Sequence, residues 1–371
     1  MDGRKGDGED NADCWTVKPK SFRGDYMRPF ITENRMDNKI HIVYGTDDNY
    51  IFPTMVSAAS ALYYAKDKSR IVIHLFDAGV SDAHYDDYCH VLSGVGADVE
   101  LVRHKLSPSM FAGYGAWKGS VVTYSRMFMC ELLPDIDWAI YVDGDTLWLG
   151  DPAELWTFRE ESKLVLASID PPPAPGFESA ERDWYEENGL KMNSGQYLCM
   201  GLMLANLRKM REYGLAQRCR EFMTRYSRPR VVDQTVLNYI CQGQSAALPR
   251  NWGVFSVWHK GVDLSRPSLV HYCSDVPWER RKVNRLFSDV VLLWFEFCRQ
   301  VLGMDELSRF STWDRIWRRT AFNLLRRAQW LVKCNRFVLS RFRNTHGISR
   351  KEFKAILAGM QMARLQKRNQ A

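Results

Sequence analysis

Short apolar runs that stop at a glycine or an acid recur along the first two-thirds of this chain, with helical periodicities between them. Residues 40–45 (IHIVYG) are almost wholly apolar and end at Gly45, as a strand buried on both faces does. The runs at 71–77 (IVIHLFD), 97–102 (ADVELV), 138–142 (WAIYV), 164–169 and 198–206 read the same way. In 51–65, Met55, Ala58, Ala59 and Leu62 share one helical face. Ser81 has the chemistry of an N-cap for a helix over 82–92, and further helices are expected at 123–133, 207–226 and 233–242. Strands alternating with helices predict an α/β fold built on a parallel sheet with covered faces. Residues 1–38 carry neither period and read as a polar, flexible arm.

Composition adds limits. The 371 residues are 46% hydrophobic and 26% charged, which excludes collagenous, mucin-like and wholly disordered chains. No run approaches the roughly 18 apolar residues of a spanning helix. The first residues (MDGRKGDGEDNADC) are polar and acidic, so no secretory signal is expected. Nine cysteines, none in a C-x-x-C pair, point to reduced thiols and a cytoplasmic chain. The net charge of +7 is uneven: residues 311–371 hold fifteen Lys or Arg against Asp314 and Glu352, which leaves a mildly acidic body.

The most informative segment is 138–151 (WAIYVDGDTLWLGD). Acids are depleted in strands, yet an apolar run here enters Asp143-Gly144-Asp145 directly. Two carboxylates that close suit a divalent cation that also takes phosphate oxygens; an Asp-Gly turn is the plain alternative. TDDNY (46–50) puts Asp47, Asp48 and Asn49 after the first strand, where open α/β sheets bind ligands. An N-cap with first-turn acids accounts for the same residues without a ligand. His271, in SLVHYCSDVPW (268–278), can complete a site with the two carboxylates or simply be packed. No G-x-G-x-x-G and no P-loop pattern occurs.

TDDNY, VVTYSRMF (121–128), YVDGDTLWLGD, VVDQTVLN (231–238) and VHYCSDVPW follow one another in an order that resembles glycosyltransferase family 8, the retaining sugar-nucleotide transferases. The similarity covers about 40–280, includes FDAGVSDAH (76–84), and runs strongest to bacterial lipopolysaccharide galactosyl- and glucosyltransferases. It implies a GT-A-like nucleotide-sugar domain with a mainly parallel central sheet over 39–285. It also implies a metal-dependent transfer of galactose or glucose from a UDP-sugar to a glycan or glycolipid acceptor such as a lipopolysaccharide core. Asp47 and Asn49, with Asp48 beside them, match uridine contacts. Asp143, Gly144 and Asp145 match the D-x-D motif, and His271 the third ligand of Mn²⁺ (or Mg²⁺). Arg126 and Asp170 match contacts to the donor sugar and phosphates, and Asp233 and Gln234 the pair beneath the transferred sugar.

Two departures stand out. Members usually read N-A-G-V where this chain has Cys199-Met200-Gly201-Leu202; Gly201 is kept on the donor side, but a thiol replaces the amide. The usual Lys before Pro-Trp is absent, and Arg280 or Lys260 would have to meet the diphosphate. A catalytically silent membrane-surface carbohydrate binder is the alternative these changes favour. A sugar-phosphate nucleotidyltransferase is the second alternative, without the Gly-rich basic segment it would normally carry. Gln234 is a neutral amide and a poor nucleophile, so retention is expected through same-face attack.

Residues 286–371 are expected to form a helical, basic membrane-association region. Trp313, Trp317, Ala321, Leu324, Ala328 and Leu331 share one helical face, with Arg315, Arg318, Arg319, Arg326 and Lys333 mostly opposite. Basic residues with Trp and Phe suit an anionic bilayer surface; a C-terminal helix packed on the body with a solvated basic face is the plain alternative, and a nucleic-acid surface the weakest. The expected location is the inner face of the cell membrane, as a peripheral protein, with no nucleic-acid partner.

Overall fold

The computed structural model describes residues 38–97, 99–117, 119–169, 183–191, 197–226, 229, 231–255, 267–273, 276–279, 289–331, 351 and 353–361. The arm expected at 1–38 therefore lies, apart from Asn38, outside the described residues, as do Asp170, Lys260 and Arg280.

Strands β1 (Ile40–Thr46), β2 (Ile71–Asp77), β3 (Glu100–Lys105), β4 (Trp138–Val142), β5 (Thr146–Trp148), β6 (Val165–Ile169), β7 (Leu198–Asn206), β8 (Ser245–Ala247), β9 (Val254–Phe255) and β10 (Leu269–His271) form two sheets. The larger runs β3-β2-β1-β4-β7-β6-β8 and the smaller β5-β10-β9. In the larger sheet only β7 opposes its neighbours, β4 and β6; every other pairing is parallel. The mainly parallel sheet is thus present, with one reversed strand that alternating periodicities do not reveal.

Helices α1 (Ile51–Tyr64), α2 (Asp82–Val95), α3 (Met129–Leu132), α4 (Pro152–Trp156), α5 (Leu207–Tyr213), α6 (Leu215–Arg225) and α7 (Val232–Ile240) surround the sheets. The period-2 alternation of the strands divides the core into two layers. Ile140, Val142, Leu202 and Leu204 pack on one side, and Ala139, Tyr141, Met203 and Ala205 on the other. Each face is buried, so the strands read as continuous apolar runs.

Three of the expected elements differ from the pattern, and the short strands β5, β8, β9 and β10 and helix α4 were not expected. β3 starts at Glu100, because the Val99 N–H bonds back to the Gly96 carbonyl and makes a turn first. The expected helix at 123–133 is a 3₁₀ helix, Val122–Phe128, followed by the short α3. Its three-residue turn stacks Thr123 and Arg126 on one side, where both bond into the site below. The expected helix at 207–226 breaks into α5 and α6 at Gly214, whose φ of 67° is a left-handed cap.

The core continues past residue 285, the limit expected for the globular domain. α8 (Asp289–Phe297) buries Val290, Val291, Leu293, Trp294, Phe295 and Phe297, and Tyr272 Oη donates to the Val290 carbonyl (2.9 Å). The densest apolar run of the chain is therefore a core helix. α9 (Thr312–Leu331) follows, and residues 353–361 lie back on the body, with Met360 buried and Tyr63 Oη donating to the Gly359 carbonyl (3.4 Å). Lys39–Ala371 is one compact unit.

Candidate active site

The D-x-D segment sits where β4 leaves the large sheet and β5 begins the small one. Gly144 is required there, because a Cβ would lie 2.2 Å from Thr54 Oγ1. The Asp143 N–H donates to the Gly201 carbonyl (2.8 Å), and Thr146 Oγ1 donates to the Asp143 carbonyl (2.9 Å). β10 pairs antiparallel with β5, so His271 falls opposite Thr146, and the Tyr272 N–H donates to the Asp145 carbonyl (2.7 Å). That register carries a histidine more than a hundred residues away to the two carboxylates.

One ligand atom each from Asp143, Asp145 and His271 lies within 4.8 Å of the others. His271 Nε2 is 3.0 Å from Asp145 Oδ1 and 3.9 Å from Asp143 Oδ2. Two hard oxygens and an imidazole nitrogen fit a divalent cation. Gly201 makes their approach possible: a Cβ there would lie 2.5 Å from His271 Cε1 and 2.7 Å from Asp143 Oδ2. Burial weighs against charge on the imidazole, but Asp145 and the hydrogen bond to it push its pKa well up. Asp143 is raised by its withdrawal from water, with Arg126 opposing and Asp145 adding.

Arg126 is the second centre. It is 6% exposed, and its guanidinium lies 4.6 Å over the Tyr141 ring. Nη1 donates to the Met200 carbonyl (2.7 Å) and Nη2 to Asp143 Oδ1 (2.9 Å) and Thr123 Oγ1 (3.0 Å). Nε aims at the Thr123 carbonyl (3.1 Å) while standing 2.9 Å from Asp233 Oδ2. That oxygen is paired by charge and receives no hydrogen bond; Oδ1 accepts from Thr123 Oγ1 (2.6 Å). Burial raises Asp233 to about 6 against the pull of Arg126. Burial also disfavours the guanidinium, but Asp143 and Asp233 hold its pKa above the ordinary value.

Gln234 follows Asp233 at the start of α7, and its Oε1 accepts from the Met200 N–H (3.1 Å). Val232, just before them, is the one non-glycine with positive φ (28°) among the described residues. A β-branched residue is strained there, and such strain persists where surrounding structure fixes it.

The TDDNY residues divide. Asp47 Oδ1 accepts from the backbone N–H of Asn49 and Tyr50, which builds the turn into α1, and Asn49 is exposed. Asp48 takes a structural task. Its Oδ1 accepts from Ser81 N and Oγ and stands 2.8 Å from His84 Nδ1, and the Ser81 backbone bond leads in lowering its pKa to about 2. Tyr50, not singled out in the sequence, joins this motif to the D-x-D by donating to Asp145 Oδ2 (3.3 Å). Thr123 and Tyr141 were likewise missed. All three sit inside the quoted motifs, but their uncharged side chains gave no separate signal.

Solved structures share this fold. One of the galactosyltransferase LgtC in complex with donor and acceptor sugar analogs superposes with a TM-score of 0.54 at 24% identity, covering 66% of this chain and 91% of that one. The fold is accordingly GT-A-like. A putative glycosyltransferase of Haemophilus influenzae is 29% identical over 126 residues, 34% of this chain. A probable galacturonosyltransferase-like protein 4 of Arabidopsis thaliana is 24% identical over 211 residues, 53% of this chain. The chain spans 36% and 58% of the length of these two relatives. The model of glycosyl transferase family 8 matches residues 41–282, from the first strand through the His271 segment, and the chain belongs to that family.

Proposed function

We propose that this protein is a retaining hexosyltransferase that moves galactose or glucose from a UDP-sugar to a hydroxyl of a glycan or glycolipid acceptor, a lipopolysaccharide core being one such acceptor. The observation that carries the reading is the meeting of Asp143, Asp145 and His271 within 4.8 Å, beside an arginine clamped between Asp143 and Asp233. Asp143, Asp145 and His271 would hold Mn²⁺ or Mg²⁺, which when bound supplies positive charge for a diphosphate leaving group. Arg126 holds Asp143 in place and adds fixed positive charge in a dry environment. Asp233 and Gln234, held by Thr123 and the Met200 amide, are the proposed pair beneath the transferred sugar. Same-face attack is the route these residues permit, because an amide is a poor nucleophile. Asp47 and Asn49 remain the proposed uridine contacts, and Asp170 a donor-sugar contact.

The deciding experiment screens UDP release from UDP-sugars with and without Mn²⁺, followed by proton NMR of the product. The expected result is Mn²⁺-dependent release from UDP-galactose or UDP-glucose and an α-linkage. A β-linkage would overturn retention. Metal-dependent UDP binding without release from any sugar nucleotide would instead favour a silent binder.

We also propose that α9 rests on an anionic membrane surface, on the inner face of the cell membrane. Trp313, Ile316, Trp317 and Leu324 are all more than half exposed, and their spacing sets them along one side. Arg318 and Arg319 are paired with Asp314 and Asp289, so insertion of apolar side chains leads over charge in this segment. Among the described residues no helix is long and apolar enough to cross a membrane.

A further inference from the structure

The thiol of Cys199 lies behind the imidazole of His271, on the side away from the two carboxylates. Cys199 and Gly201 both come from β7 and both lie against the ring, in a stretch where the β6–β7 register shifts. Gly201 leaves room for the ring, and Cys199 Sγ stands 3.9 Å from its Nδ1. Phe255, paired with His271 across β9 and β10, covers the ring at 5.1 Å and a tilt of 31°. The backbone that carries the thiol is held: Ser168 Oγ donates to the Cys199 carbonyl (3.3 Å), and Arg126 anchors the next carbonyl (2.7 Å).

We propose that Cys199 is a positioning residue for His271, acting through the acceptor that its sulfur offers to Nδ1. The proposal rests on the metal reading above and deepens it. A neutral imidazole that gives the Nε2 lone pair to a cation must carry its proton on Nδ1. His271 is 5% exposed, so that N–H has to find a partner inside the protein. Sulfur is a weak acceptor, yet at this contact it selects the tautomer that coordination needs and limits rotation of the ring. Partners of this kind are a large part of a metal site's affinity. The thiol that replaces the family's usual amide therefore serves the metal side of the site.

The test is Mn²⁺ binding to the full chain in the presence of UDP, measured by calorimetry and by electron paramagnetic resonance of free Mn²⁺. Cys199→Val keeps the volume and removes the acceptor; Cys199→Ser keeps an acceptor. Cys199→Val should weaken Mn²⁺ about 10–100-fold, while metal-free UDP affinity and the melting temperature hold. Cys199→Ser should stay within about threefold of the unaltered chain, the acceptor being retained. Cys199→Ala should follow Cys199→Val, which guards against a packing fault in either one. Equal Mn²⁺ affinity in Cys199→Val and the unaltered chain would overturn the proposal, as would an equal loss in Cys199→Ser. A lack of Mn²⁺ binding by the unaltered chain would instead overturn the metal reading itself, and this proposal with it.

Discussion

The end of β4 and the helix α9 invert the ordinary rule of burial in opposite senses. At β4, Asp143, Arg126, Asp233 and His271 are drawn inward, and each charge is answered by another. On α9, Trp313 and Trp317 are 76% and 59% exposed, while Arg318 and Arg319 turn toward Phe310 and Phe353 of the body. Buried charge is costly unless paired. Exposed tryptophan is costly in water unless something covers it. The first region keeps its charges because they cancel one another. The second gives its arginines local partners and leaves its apolar row exposed. The contrast separates a cluster of charges that cancel one another inside the protein from an apolar row that stays at its surface.

The largest effect is expected from Arg126→Ala, which strands the buried Asp233 and the half-buried Asp143. Removing one partner of a buried ion pair costs about 3–5 kcal/mol, and urea denaturation at neutral pH should read a loss of that size. A loss under about 1 kcal/mol, the scale of exposed pairs, would mean that the network is solvated and that the contrast with α9 fails. Asp145→Ala should leave the fold intact and lower turnover about 10²–10³-fold, the scale for loss of one preorganised electrostatic element. Mn²⁺-dependent UDP binding, followed by calorimetry, should vanish with it; unchanged affinity would remove Asp145 from the site.

On the other region, Trp313→Glu combined with Trp317→Glu should weaken binding to anionic vesicles about tenfold or more, since burying one such side chain contributes about 1.5–3 kcal/mol. Folding stability should move by no more than about 0.5 kcal/mol, as at other surface positions. Equal vesicle binding would show that α9 does not insert. Point variants sharpen this better than truncation near Phe310, because removing 311–371 would take Met360 out of the core.

The smallest effect concerns pH. Asp233 titrates near 6 in the folded chain and near the ordinary value of about 3.9 when unfolded. Between those values the folded state binds more protons, so this residue's contribution to stability falls as pH rises from about 4 to 6 and stays low above. The stability of Asp233→Asn minus that of the unaltered chain should therefore rise across the same window. A flat difference by urea denaturation would mean that Arg126 cancels the cost of burial.

Most of the sheet could be read from local pattern, because runs such as Ile40–Thr46 and Trp138–Val142 are buried on both faces. Asp143 and Asp145 could be read because acids are out of place at the end of such a run. Tyr50 and Thr123 could not, since a tyrosine or threonine has many uses and only the fold puts these against Asp145 and Asp233. The contacts of Asp48 to Ser81 and His84 were not legible either, because they depend on where α2 begins. The amphipathic period of α9 was equally plain, yet period alone does not say which face meets the body.

The sequence by itself determined the order of the six longer strands and of the main helices between them, the carboxylate pair at a strand end, and a family likeness carried by five motifs in order. Those are local properties, set by side-chain period and by residues close in the chain. Tertiary structure alone decided that β7 runs against its neighbours, that the β5–β10 register carries His271 to the D-x-D, that Cys199 backs its ring, and that α9 turns its tryptophans outward. Each of these depends on contacts between distant segments, where pairing register and the cancellation of buried charge choose among arrangements that the local sequence permits equally.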